Sequence, residues 1–381
     1  MTDVVLVTSS FLPRFGGVEE HVLNVARELR AQGVSVAIWA VDQSDVGAPS
    51  EVDGIVVRYL PCPLPARSPR AVLSFARRAP QALAAWRRAM RADSPRLLHV
   101  HCFGPNGVWA SAVASMYRTP FVVTTHGETF GDADGVFQSS RLLPAALRRS
   151  LRRAAAVTAC SRYAADDLTS YGVDPADVVV IPNGIDLHEP AGAAPAGLPG
   201  RYVLGIGRLV DNKGMDLLVE AFAAASLPDD VGLVIAGDGP ARRGLERLVG
   251  DLGIDDRTLF TGALERPQVV ECMSRAELLV VASRAEAFGI AILEGWRAGL
   301  PVIATTHGGP PEFVTTGVDG LLVDPEDTVR LSAAITAVVD DPVLAHRLGD
   351  AGRVRAAGYS WKRVARDYVE QYRRSGARSG S

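Results

Sequence analysis

The chain has 381 residues, 48% of them apolar and 22% charged, with a net charge of −3. That length exceeds one ordinary hydrophobic core and predicts two domains of about 150–200 residues. No run of about 18 uncharged apolar residues occurs, which excludes a membrane-spanning helix, and the scattered Cys62, Cys102, Cys160 and Cys272 lack the paired spacing of a metal cage or disulfide framework.

Short apolar runs alternate with amphipathic stretches from end to end. The predicted strands of the first half are Val4–Thr8, Val34–Trp39, Leu97–His101, Phe121–Thr125, Ala156–Ala159 and Val178–Pro182, with helical patterns such as Val18–Gln32 and Tyr163–Tyr171 between them. The first ten residues lack a basic stretch before their apolar run and read as a strand, not a signal peptide, and the unpaired cysteines lead to the expectation of a reduced cytosol. Residues 189–200, rich in Ala, Gly and Pro, read as a linker. The alternation restarts with strands Tyr202–Ile206, Gly232–Ala236, Thr258–Thr261, Leu278–Ala282 and Pro301–Ala304. This predicts an α/β protein of two doubly wound, Rossmann-like domains facing across a cleft: 1–188, the linker 189–200, and 201–360. A helix from Trp361 to Tyr372 crosses back to the first domain, and 361–381 holds that helix and the tail.

Ligands of such sheets bind beyond the carboxyl ends of the strands. After the first strand come Gly16 and Gly17, which let the backbone approach an anion closely or simply form a tight turn. Gly205-Ile-Gly-Arg-Leu-Val-Asp-Asn-Lys-Gly214 lacks the third glycine of a dinucleotide fingerprint and the glycine-lysine-serine/threonine of a P-loop. Two cations remain there, Arg208 and Lys213, able to neutralise a diphosphate. Lysine is otherwise found only at Lys362, against an arginine-rich background. Gly237 follows another strand and suits the edge of a base or ribose, or an ordinary turn. Finally, Arg284-Ala-Glu-Ala-Phe-Gly-Ile-Ala-Ile-Leu-Glu-Gly-Trp296 places Glu286 and Glu294 in an apolar run. A buried carboxylate needs a cation, water or ligand. A helix starting near Phe288 and Gly289 offers free amides to phosphate, flanked by two acids that accept hydrogen bonds from sugar hydroxyls.

These motifs together resemble a known family. Gly16-Gly17-Val18-Glu19, Thr125-His126-Gly127, Pro182-Asn-Gly-Ile-Asp186, Gly207-Arg208 with Lys213-Gly214, Glu286-x7-Glu294, Gly308-Gly309 with Glu312, and Tyr359-Ser-Trp361 are similar to those of retaining glycosyltransferase family 4, with the GT-B fold. The resemblance implies that the second domain binds a nucleotide sugar, a UDP-sugar ahead of a GDP-sugar, without a metal or other cofactor. It implies that Arg208 and Lys213 hold the diphosphate, Glu286 the donor sugar, Glu294 the ribose, and Phe288 and Gly289 offer amides. By the same similarity Gly16 and Gly17 close on the donor, and His126 stands beside the reacting sugar, with His101 as a second candidate. Trp296, where the family carries small residues, adds bulk behind Glu294.

The first domain is expected to hold the acceptor (a lipid, a glycan or a small natural product) through Glu19, His101, Thr129 and Asp132. Arg67, Arg70, Arg77, Arg78, Arg87, Arg88, Arg91 and Arg96 face one acid, Asp93, and a second basic run spans 141–153. Such surfaces suit a peripheral contact with an anionic membrane at its inner face, or merely solvated helix faces, the first run being interrupted by Pro80. No nucleic-acid partner is expected. A sugar-nucleotide epimerase or glycan phosphorylase on the same fold is the alternative, and a non-catalytic sugar-binding protein a third reading.

Overall fold

The computed structural model describes residues 1–13, 16–43, 47–65, 68–131 and 136–376. The chain folds as two compact units, the first formed by Met1–Asn183 together with the helix that starts at Trp361, the second by Gly184–Ser360.

The first unit is built on an eight-stranded sheet of β1 (Val4–Thr8), β2 (Val36–Val41), β3 (Glu51–Val52), β4 (Ile55–Leu60), β5 (Leu97–His101), β6 (Phe121–Thr125), β7 (Ala156–Ala159) and β8 (Val179–Val180). Their order is β3-β4-β2-β1-β5-β6-β7-β8, parallel throughout except for the β3–β4 hairpin. Helices cover both faces, so the central strands are buried on both sides and read as unbroken apolar runs such as Val-Val-Leu-Val-Thr in β1. The helix Gly17–Ala31 turns Val22, Val25, Ala26 and Leu29 inward at the helical period. Against it packs the last helix, Trp361–Arg374, through Val364, Ala365, Tyr368 and Tyr372.

The second unit carries six parallel strands: β9 (Arg201–Ile206), β10 (Val231–Ala236), β11 (Thr258–Gly262), β12 (Leu278–Val281), β13 (Val302–Thr305) and β14 (Leu321–Val323). Their order is β11-β10-β9-β12-β13-β14. From β9 the chain steps outward to β10 and β11, then returns to lay β12 on the other side of β9. The sheet therefore reverses winding between β9 and β12, and between β1 and β5 in the first unit.

Two expectations change. Residues 184–188, assigned by sequence to the first domain, and the linker 189–200 both lie in the second unit. Ile185 N donates to Tyr359 O at 2.7 Å, Arg297 donates to Asp186 O at 3.0 Å, and Glu189 pairs with Arg266 and Arg297. Pro80 does not interrupt its basic stretch, because one helix, Pro69–Asp93, runs through it, anchored by buried Ala82, Trp86, Ala89 and Met90 on one face. Tertiary packing there outweighs the one backbone hydrogen bond that proline removes.

Tyr368 is fully buried at the centre of the returning helix. Tyr368→Ala is expected to destabilise the first unit by about 3–5 kcal/mol, read as a shift of its urea unfolding midpoint.

Candidate functional site

In the second unit the winding reversal sets two strand-end loops side by side, which is where open α/β sheets take ligands. One loop leaves β9 through Gly207 and Arg208 into a 3-10 turn, Asp211–Lys213. The other leaves β12 through Ser283–Gly289. They touch backbone to backbone: Gly214 has φ 61°, and a Cβ there would stand 1.9 Å from Ala282 O. Arg284 N donates to Asn212 O at 2.9 Å, and Asn212 Nδ2 donates to Ala285 O at 2.8 Å.

This stitching brings Lys213 Nζ to 2.7 Å from Glu286 Oε2, which also accepts from Ser283 Oγ at 3.0 Å. The lysine is one-third exposed and the carboxylate nearly buried. The loop after β13 clamps the same glutamate from its far side. Glu286 N donates to His307 O at 3.0 Å, and Gly309 N donates to Glu286 O at 2.8 Å. Gly308, φ 116°, has Glu286 O only 2.0 Å from where a Cβ would be, so no larger residue fits. Arg208 lies exposed on the first loop. Gly237 N is engaged by Gly262 O at 2.9 Å across the neighbouring strand ends.

Gly289 caps the helix Ile290–Arg297, whose first amides have no partner within the helix. Phe288 is buried and stacks on Phe313, ring centroids 4.7 Å apart. Glu294 is buried on that helix and paired with Arg266. Each acid of the apolar run thus has its own cation, Lys213 for Glu286 and Arg266 for Glu294. Trp296 turns away into the core, donating to Asp319 O at 2.7 Å.

In the first unit, Gly16 caps the helix Gly17–Ala31, and Glu19 is buried, accepting from Ser10 Oγ. Four histidines gather beneath it. His21 Nδ1 lies 2.7 Å from Asn183 Oδ1 and its Nε2 3.1 Å from Tyr368 Oη. His99 sits between Tyr372 Oη at 2.7 Å and Thr124 Oγ1 at 2.6 Å. His101 Nδ1 is 3.1 Å from His126 Nε2. Burial lowers the pKa of all four, that of His21 to about 4, and neighbouring imidazoles depress the other three further. They are neutral near pH 7. Nitrogens of His21, His101 and His126 fall within 4.8 Å of one another, the described residues whose spacing would admit a metal ion. Both nitrogens of His21, and the facing pair of His101 and His126, are taken up by hydrogen bonds inside the protein.

His126 is half-buried, whereas His101 is fully buried behind it and presents no surface to an acceptor. Thr129 is likewise buried, its hydroxyl donated to Asp167. Asp132 lies outside the described residues. Sequence reasoning passed over Glu128, a buried carboxylate that accepts from Phe103 N and His126 N, each at 2.8 Å, and from Thr125 Oγ1 at 3.0 Å. It fixes the turn that carries His126. Its place two residues after that histidine was the available signal; Ser283 and Arg266 carried none.

The His21 shift has a definite sign. The native imidazole stays neutral, whereas the unfolded one gains a proton below 6.5, its ordinary value. The stabilisation is complete above pH 6.5 and is lost as pH falls toward 4, about 3 kcal/mol from this group. Unfolding midpoints between those pH values should fall less steeply in His21→Gln than in the unaltered chain.

Comparison with known proteins agrees with this geometry. The family pattern Glycosyltransferase Family 4 matches residues 15–189, and Glycosyl transferases group 1 matches residues 195–355. The chain is 30% identical to the alpha-D-kanosaminyltransferase of Streptomyces kanamyceticus, over 76% of this chain and 80% of that one. It is 29% identical to the D-inositol 3-phosphate glycosyltransferase of Frankia alni over 94% of each. Sucrose-phosphate synthase from Thermosynechococcus elongatus shares the fold at TM-score 0.83 and 24% identity over 100% of each chain. Anabaena HepE, solved in complex with UDP, shares it at TM-score 0.75 and 21% identity over 97% of this chain and 99% of that one. Two parallel Rossmann-like sheets, the paired strand-end loops and these matches lead to one assignment: the chain belongs to the group 1 glycosyltransferases of family 4, with the GT-B fold.

Proposed function

We propose that this glycosyltransferase moves a sugar from a nucleotide-sugar donor, a UDP-sugar ahead of a GDP-sugar, to a lipid, glycan or small natural-product acceptor, with retention at the anomeric carbon. The observation that carries the reading is the meeting of Lys213, Ser283 and Glu286 at the winding reversal, just before the helix Ile290–Arg297 that carries Glu294. HepE, of the same fold, binds UDP.

In this reading Arg208 and Lys213 hold the diphosphate beside the amides of Phe288 and Gly289, and the backbone of Gly237 edges the base or ribose. Gly16 and Gly17 let the backbone of the first unit approach the donor. As the bond from the anomeric carbon to the phosphate oxygen breaks, negative charge grows on the departing phosphate. Cations already fixed in place stabilise that charge more than the ground state, which lowers the barrier. Glu286 takes a hydroxyl of the donor sugar and Glu294 the ribose. The acceptor's hydroxyl proton passes to the leaving phosphate on the same face as attack, so no protein nucleophile or base is required. His126, neutral and half-buried, is suited to a hydrogen bond with a sugar hydroxyl and not to electrostatic capture of phosphate. Glu19 remains the proposed acceptor contact.

Two cations on one loop take the part that a divalent metal plays elsewhere, and we propose catalysis without a metal. Lys213→Ala and Glu286→Ala should each lower kcat by about 10²–10³-fold, measured as release of the nucleoside diphosphate. Excess chelator should leave the rate unchanged. Full activity in both variants would sink the assignment of this loop pair.

Among the described residues no helix is long and apolar enough to cross a membrane. A peripheral contact with an anionic inner face, from the cytoplasm, is part of the proposal. On the helix Pro69–Asp93, Arg70, Arg77, Arg78, Arg87 and Arg88 are exposed beside Val72 and Leu73. Phosphatidylglycerol vesicles should sediment the protein and phosphatidylcholine vesicles should not, with Leu73→Glu weakening the association.

A further inference from the structure

Arg266 belongs to none of the motifs read from the sequence, yet it joins the two halves of one half-buried network. It opens the helix Arg266–Arg275. Its Nε and Nη2 face the two oxygens of Glu189 at 2.9 and 2.6 Å, a fork-to-fork pair, while Nη1 pairs with Glu294 Oε1. Arg297 holds Glu189 from another side at 2.6 Å, and its Nη2 is buried with no hydrogen-bond partner among the described residues. Burial would raise the Glu189 pKa, but hydrogen bonds from Arg266 and Arg297 outweigh it and hold the group below the usual carboxylate range. Two arginines therefore balance two acids. The arginine in contact with Glu294 is itself fixed at its other edge.

A carboxylate at the end of a glutamate rotates freely and offers either oxygen. Pinning Oε1 leaves Oε2 in one direction, and the ordering cost is met before any ligand arrives. We propose that Arg266 is a positioning residue for the donor nucleoside: it fixes Glu294 so that one carboxylate edge meets the ribose hydroxyls, and so sets the preference for ribo- over 2′-deoxyribonucleotides. This rests on the reading of Glu294 as the ribose ligand. The opposite case is that the ribose takes both oxygens and Arg266 competes with it.

The test is calorimetric titration of the full chain with UDP and 2′-deoxy-UDP, and with GDP and 2′-deoxy-GDP in parallel. The unaltered protein should favour the ribonucleotide by about tenfold, the effect of one hydrogen bond to a charged group. Arg266→Gln should narrow that ratio to within about twofold, and Arg266→Lys should restore part of it. Glu189→Gln, which keeps Arg266 and Glu294 but loosens the anchor, should narrow the ratio in smaller measure and serves if Arg266→Gln fails to fold. An unchanged ratio in these variants, or tighter ribonucleotide binding by Arg266→Gln, overturns the inference alone. Failure of the unaltered protein to bind any of the four overturns the donor reading and this inference with it.

Discussion

The second unit depends on a constraint of distance between peptide groups. The loops leaving β9, β12 and β13 lie so close that glycine is the residue the backbone admits at Gly214 and Gly308. That contact, and not the Lys213–Glu286 attraction, sets the geometry. A partly exposed ion pair contributes little net stability once desolvation and side-chain ordering are counted. Held by backbone, however, the two groups stay at 2.7 Å with their neighbours already hydrogen-bonded. Loops joined this way hold both charged groups in place through their backbone.

The two units differ in the polar groups gathered at their strand ends. The second keeps carboxylates and cations in matched pairs at the ends of its strands. The first buries four imidazoles and holds them neutral, tied to Tyr368, Tyr372, Thr124 and Asn183. Neutral rings provide directional hydrogen bonds without repelling one another, whereas four charged ones in this space would be prohibitive.

The fold was legible where burial on both faces makes a strand unmistakable. β1, β5, β6 and β7 coincide with the predicted runs. β3, β4 and β14 were not among the predicted strands: β14 has three half-buried residues, and β4 is interrupted by Arg58, which pairs with Asp93 from a distant helix. The Ala-, Gly- and Pro-rich segment reads as a tether because composition reveals breakers and not ion pairs. Its partners, Arg266 and Arg297, stand 77 and 108 residues further along. The glutamate pair could be found because acids in an apolar run demand explanation, and the cation of Glu286 because lysine is rare here. Arg266 could not, being one arginine among many. Of the residues read as acceptor contacts, His101 and Thr129 turned inward, His101 at the end of β5 and Thr129 in the turn after β6 with its hydroxyl donated to Asp167, because sequence shows that a side chain is polar, not whether it reaches water.

The returning helix has a consequence for the order in which the protein is made. Trp361, Val364, Ala365, Tyr368 and Tyr372 complete the hydrophobic core of the first unit, yet they are translated after the whole second unit. On the ribosome, where domains ordinarily mature from the amino end, this chain inverts the sequence. The Gly184–Ser360 unit has all its strands in hand first, while the earlier-made sheet waits with an open flank until the last helix emerges.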